Sequence, residues 1–133
     1  MISTAHVLLY SAILTWVMVM VAAGLGGKLW TPKGLAYSLG NREDRSDNQG
    51  VAGRADRAAK NMLENMILFT AIVVAVHFIG AANKNIIIGA NLFFWARVAY
   101  WPTYLLGIPG IRTGIWAVSV VGMGMMAASA CCS

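Results

Sequence analysis

Arg54-Ala-Asp-Arg57-Ala-Ala-Lys60-Asn61-Met-Leu-Glu64-Asn65 runs without a break into Met66-Ile-Leu-Phe-Thr-Ala-Ile-Val-Val-Ala-Val-His77-Phe-Ile-Gly80. The second half is apolar and, with the polar turns before it, long enough as a helix to cross a hydrocarbon core of about 30 Å. In such a helix, at about 100° per residue, Arg57, Asn61 and Glu64 stand at i, i+4 and i+7, within roughly 60° of one another and flanked by Arg54 and Lys60. One polar stripe therefore rides on the end of a spanning helix, and the rest of the chain can be placed around it.

The composition agrees with a membrane setting. Of 133 residues, 59% are hydrophobic and 11% charged, and the mean hydropathy is +0.67. A water-facing surface cannot be built from this inventory, so the chain reads as one integral membrane domain. The formal charge of +5 would point to nucleic acid in a soluble protein. Here the basic residues flank apolar spans instead of forming a solvated patch, which argues against a nucleic-acid partner. Cys131 and Cys132 are adjacent and make neither a disulfide framework nor a metal-ligand spacing. Met1-Ile-Ser-Thr lacks a basic leader, so the first apolar stretch is expected to be retained as a helix.

Four apolar segments, about 4–25, 55–80, 85–106 and 112–131, each approach the ~20 residues a span requires. The first carries no charge; His6 is expected at its outer end as an exposed ring, and Lys28 with Trp30 makes an interfacial anchor at the other. Residues 31–53 form the long polar connection, whose charged part, Asn41-Arg-Glu-Asp-Arg-Ser-Asp-Asn-Gln-Gly50, is read as a mobile solvated loop or as a lid over the polar stripe. The third span holds Arg97, Tyr100 and Tyr104 on one face at i, i+3 and i+7, with Pro102 placed to kink it. An arginine so deep must turn inward and find a partner. The fourth span opens with Arg112-Thr113 and continues through Gly122, Gly124, Ala127 and Ala128, small residues that let helices approach closely in lipid. Its Met123, Met125 and Met126 are expected in packing, and His77 of the second span in an interhelical hydrogen bond.

Nine of the ten Lys and Arg residues fall toward one face and only Lys84 toward the other, which predicts a cytoplasmic long loop and both termini outside. The same count gathers the start of the second helix, the end of the third and the start of the fourth at one membrane face. Arg54, Arg57, Lys60, Arg97 and Arg112 then meet Glu64, Asn61, Asn65, Tyr100, Tyr104 and Thr113. Surplus positive charge in a low dielectric is costly without an anion. Arg forks recognise carboxylates, and a lone Glu suits an ammonium, so one reading is a small zwitterion with more than one carboxylate. The other is a set of interhelical clamps whose remaining cations contact anionic lipid headgroups.

Arg57-x-x-x-Asn61-x-x-Glu64, Arg97-x-x-Tyr100-x-x-x-Tyr104 and Arg112-Thr113, placed at those points of four spans, resemble the membrane-associated proteins in eicosanoid and glutathione metabolism, the MAPEG family, in its short bacterial form. The resemblance covers about residues 5–130. It implies an all-α, integral membrane four-helix bundle assembled as a homotrimer in the bacterial inner membrane. Glutathione, as co-substrate, would bind between neighbouring protomers near the cytoplasmic face. Arg57, Asn61 and Glu64 would hold the tripeptide, Arg97, Tyr100 and Tyr104 would line the pocket, and Arg54 and Lys60, on the same polar face, would join them in binding glutathione. Arg112 would stabilise the thiolate, with Thr113 beside it. A thiol of pKa ~8.5 is only a few per cent ionised at neutral pH, and a guanidinium that lowers it by about two units contributes roughly 2.7 kcal/mol. The implied activity is a glutathione transferase or peroxidase acting on lipophilic electrophiles or hydroperoxides.

Two rival classes remain. A non-catalytic subunit packed into a larger membrane complex would use the same apolar surfaces and the small-residue face of the fourth helix. An exporter of lipophilic cations would need an intramembrane carboxylate free to exchange protons, and Glu64 stands among arginines that repel such a substrate.

Overall fold

The computed structural model of the protein describes residues 1–40 and 49–132. Among them it forms α1 (Thr4–Gly27), α2 (Pro32–Leu39), α3 (Gly50–Ile79), α4 (Lys84–Leu106) and α5 (Pro109–Cys131), with no strand. Four long helices lie over the four expected apolar segments, with shifted ends. α3 starts at Gly50, about a turn before the expected boundary, and α5 starts at Pro109, whose ring suits a first helical position. The charged residues 41–48, and with them the lid reading, lie outside the described residues.

α2 lies within the polar connection expected over 31–53. The Thr31 hydroxyl caps it by accepting from the Gly34 amide at 3.0 Å, and Pro32 opens it. The helix folds back on the end of α1 so closely that a side chain at Gly34 would overlap the Gly27 and Lys28 carbonyls.

α1, α3 and α5 are each long and apolar enough to cross a membrane. α4 equals α5 in length, 23 residues, but carries Asn91 and Arg97. Both are buried inside the bundle, which is how a spanning helix keeps polar groups from lipid. α4 continues through Pro102 to Leu106.

Helix pairing follows from which faces are small. α3 lays Ala55, Ala58, Ala59 and Met62, at helical spacing, against Met18 and Ala22 of α1. Further along, Phe69 of α3 stacks on Phe93 of α4, centroids 4.1 Å apart and nearly parallel, within a cluster that includes Val7, Ala90 and Met126. α4 and α5 meet at Gly89 and Gly122, each facing the other's carbonyl. Met123 and Met126 are buried there, as expected for packing residues.

Both described chain ends gather at one end of the bundle with the turn between α3 and α4. Asn91 clamps the N-terminal segment: its Oδ1 accepts from the Ile2 amide at 3.0 Å and its Nδ2 donates to the Ile2 carbonyl at 2.7 Å. Asn83 caps α4 and reaches the Ser129 carbonyl near the end of α5. His6 is exposed, hydrogen-bonded to Ser3 at 2.7 Å. His77 corrects its expectation: the ring is exposed, edge-on to Phe78, and among the described residues it makes no hydrogen bond to another helix.

Candidate functional site

At the opposite end, the start of α3, the end of α4 and the start of α5 converge, as the distribution of basic residues requires. α3 places Asn61 toward α4, where Arg97 Nη1 donates to Asn61 Oδ1 at 2.8 Å. The Asn61 carbonyl, in turn, accepts from Asn65 Nδ2 at 2.7 Å. Arg97 is 1% exposed, the largest fully buried side chain described. Its guanidinium carbon lies 5.5 Å from the Phe93 ring centroid and 5.2 Å from that of Tyr100, both within cation–π range. Its Nε and Nη2 nevertheless have no hydrogen-bond partner. No carboxylate among the described residues pairs with it. Two unmet donors on one buried cation are a large desolvation cost that an anion would relieve.

One turn beyond Arg97, Tyr100 and Tyr104 stand ring to ring at 5.3 Å, and Arg112 reaches back across the α4–α5 turn to lie over Tyr104 at 4.6 Å. Asn61, Tyr100, Tyr104, Arg112, Thr113 and Trp116 line an open cleft of about 190 Å³. Its walls carry no acidic side chain. Trp116 was not singled out for the site by its sequence context, although it lies at i+4 from Arg112 and i+3 from Thr113, on their face of α5. Phe93, one turn before Arg97, was likewise hidden as an ordinary core aromatic. The Thr113 hydroxyl donates to the Pro109 carbonyl at 3.1 Å, leaving its oxygen free only as an acceptor.

The remaining candidates divide. Arg57 and Glu64 are exposed on the outer face of α3, and neither has an ion-pair partner among the described residues. Beside Glu64 the exposed surface is Leu63, Ile67 and Leu68, so a charged carboxylate stands at the edge of a lipid-grade surface. Lys60 is drawn away from the stripe, paired with Asp56 at 2.8 Å, and both line a separate cleft of about 340 Å³ against α1 and α2. Arg54 is also committed elsewhere: its Nε donates to the Leu105 carbonyl at 2.8 Å, tying the start of α3 to the last turn of α4. That carbonyl belongs to a helix end with no intrahelical donor. Arg54→Met is accordingly expected to lower stability by about 1.5 kcal/mol, read as a lower midpoint of thermal unfolding in detergent, with ligand affinity unchanged.

The MAPEG family model matches residues 3–132, and the chain belongs to this family of helical membrane proteins tied to glutathione and eicosanoid metabolism. No curated protein and no solved structure matches it.

Proposed function

We propose that the protein is a glutathione-dependent membrane transferase or peroxidase acting on lipophilic electrophiles or hydroperoxides, assembled as a homotrimer in a bacterial inner membrane with the α1–α3 connection in the cytoplasm. The observation that carries this reading is the cleft that gathers the Arg112 guanidinium with Asn61, Tyr100 and Tyr104, and whose Asn61 is held by Arg97, a buried guanidinium with two unmet donors. Such a site fits a peptide with more than one carboxylate better than any neutral ligand. Its 190 Å³ is small beside the ~300–1,000 Å³ of ordinary ligand sites. The outward Arg57 and Glu64 supply the remainder when a neighbouring protomer closes over them, Glu64 taking the ammonium of the γ-glutamyl end.

Arg97 and Asn61 orient the bound peptide, Tyr100 and Tyr104 exclude water, and Arg112 holds the sulfur as thiolate by placing a positive charge beside it. Thr113, with its proton committed to Pro109, contributes an acceptor and no acid. The thiolate is the chemistry glutathione brings: it forms a carbon–sulfur bond as a leaving group departs, or it forms a sulfur–oxygen bond with a hydroperoxide as the O–O bond breaks, the alkoxide taking a proton from water and a second glutathione reducing the sulfenic acid to the disulfide.

Calorimetry with glutathione and ultraviolet thiolate absorbance on the purified oligomer test this reading. Glu64→Gln is expected to lose binding. Arg112→Ala is expected to retain binding and to raise the bound thiol's pKa by about two units, toward the free value near 8.5. At neutral pH this leaves only a few per cent of the bound thiol ionised. An intact wild-type oligomer that binds no glutathione would overturn the proposal and favour a non-catalytic subunit of a larger membrane complex, sought by copurification of a stoichiometric partner.

A further inference from the structure

A groove of about 950 Å³ opens between α1, α3 and the start of α4, at the end of the bundle away from the arginines. Its floor is apolar, with Leu8, Val73, Val76 and Ile86, while Lys84, His77 and Asn83 stand at the rim. One wall is the N-terminal segment, held in place by the two-way hydrogen bonds between Ile2 and Asn91. The groove is thus a built feature and not a gap left by a loose terminus.

Among the described side chains, the charge around it has one sign. Lys84 is the only formally charged side chain lining the groove, it is exposed, and it has no ion pair among the described residues. The acidic side chains described, Asp56 and Glu64, lie on the first half of α3; Glu64 is 13 residues before His77, roughly 20 Å along the helix. Lys84 also sits in the first turn of α4, where the helix dipole adds positive potential. Phe78 and Ile79, 84% and 59% exposed beside the groove, mark this end as apolar on its outside as well.

We infer that this groove seats an acyl chain of an anionic membrane phospholipid, with the phosphate against Lys84 and the chain along Val73, Val76 and Ile86. The occupant must be amphiphilic, because the floor matches hydrocarbon and the rim matches an anion. Lys84 beside the apolar floor contributes about 1 kcal/mol toward an anionic headgroup, here in the leaflet opposite the proposed cytoplasmic connection. The site is separate from the glutathione reading and stands whether or not that reading does.

The test uses the purified protein in phosphatidylcholine vesicles doped with phosphatidylglycerol that carries a photoreactive acyl chain, the labelled peptides being mapped by mass spectrometry. Label is expected to concentrate on residues 73–87 and to be competed by unlabelled phosphatidylglycerol but not by phosphatidylcholine. Lys84→Gln should reduce it about five-fold, roughly the worth of one basic side chain at such a surface, while Lys84→Arg should retain it. Ala5→Trp, which fills the groove, should abolish the label without changing the mass of the oligomer. If this variant does not fold, the two Lys84 variants decide the matter alone. Equal labelling by a phosphatidylcholine probe would show a neutral lipid seat. Label spread evenly over α1 and α5, or cross-links joining two copies across the groove, would mean that no lipid is held there. Each of these results overturns the inference.

Discussion

Gly122→Leu is expected to leave little folded protein, and Gly89→Val to behave similarly. A Cβ on Gly122 would lie 2.6 Å from the Gly89 carbonyl oxygen and 3.0 Å from the Phe93 amide nitrogen. A Cβ on Gly89 would lie 2.5 Å from the Gly122 oxygen and 2.8 Å from the Met126 side chain. The nearest obstacles are backbone atoms, so neither substitution can be absorbed by a rotamer change. α4 and α5 would have to separate. Overpacking a tight core commonly costs 1–3 kcal/mol, and a rigid backbone contact belongs at or above the top of that range, at about 3 kcal/mol. In lipid the loss weighs more heavily, because close van der Waals contact, with no hydrophobic drive, holds helices together. Gly124 is the internal control. It sits two residues away with open space around its would-be Cβ, so Gly124→Ala should be harmless. Thermal unfolding of the three variants in one detergent checks the ranking; equal midpoints for Gly122→Leu and Gly124→Ala would show that the helices do not pack as described.

This contrast also shows which parts of the fold could be read from sequence. Gly122 and Gly124 are both small residues on an apolar helix and look alike in the chain, yet only Gly122 meets another backbone. Which face of a helix turns to a neighbour is decided by the neighbour, and sequence spacing narrows that choice without making it. The spans themselves were legible because apolar length is a property of the chain alone. α2 carried a signal too, Thr31 as cap followed by Pro32, but eight residues of mixed polarity offer little periodicity to support it. In the site, Asn61, Arg97, Tyr100, Tyr104 and Arg112 were legible as a group, since each pair on one helix obeys the i, i+3, i+4 rule. Arg54 and Lys60 obeyed the same rule and went elsewhere, one to the Leu105 carbonyl and one to Asp56. Lys60's partner stands one turn earlier on its own helix, a pairing visible in sequence, whereas Leu105 lies 51 residues away from Arg54.

Arg97→Met is expected to separate binding from stability. The methionine is close to the arginine in volume, flexible and apolar, so it can pack against Phe93 and Tyr100 while removing a charge whose Nε and Nη2 are unmet. Replacing buried ionic groups by apolar ones of similar volume is often neutral or stabilising by about 1–4 kcal/mol. One hydrogen bond is lost, from Nη1 to Asn61 Oδ1, and its acceptor lies at the wall of the cleft. The unfolding midpoint should therefore hold or rise. Glutathione affinity should fall by about two to three orders of magnitude, the ~3–4 kcal/mol that a desolvated, hydrogen-bonded charge contributes to an anionic ligand. A purely structural arginine makes the opposite forecast, with a lower midpoint and affinity unchanged once folding is allowed for. Arg97→Lys refines the comparison, since a lysine keeps the charge but loses the fork. If the buried guanidinium grips a carboxylate through two donors, lysine should restore only part of the affinity. Full recovery with lysine would mean that charge alone matters there and that the two unmet nitrogens do not define the ligand.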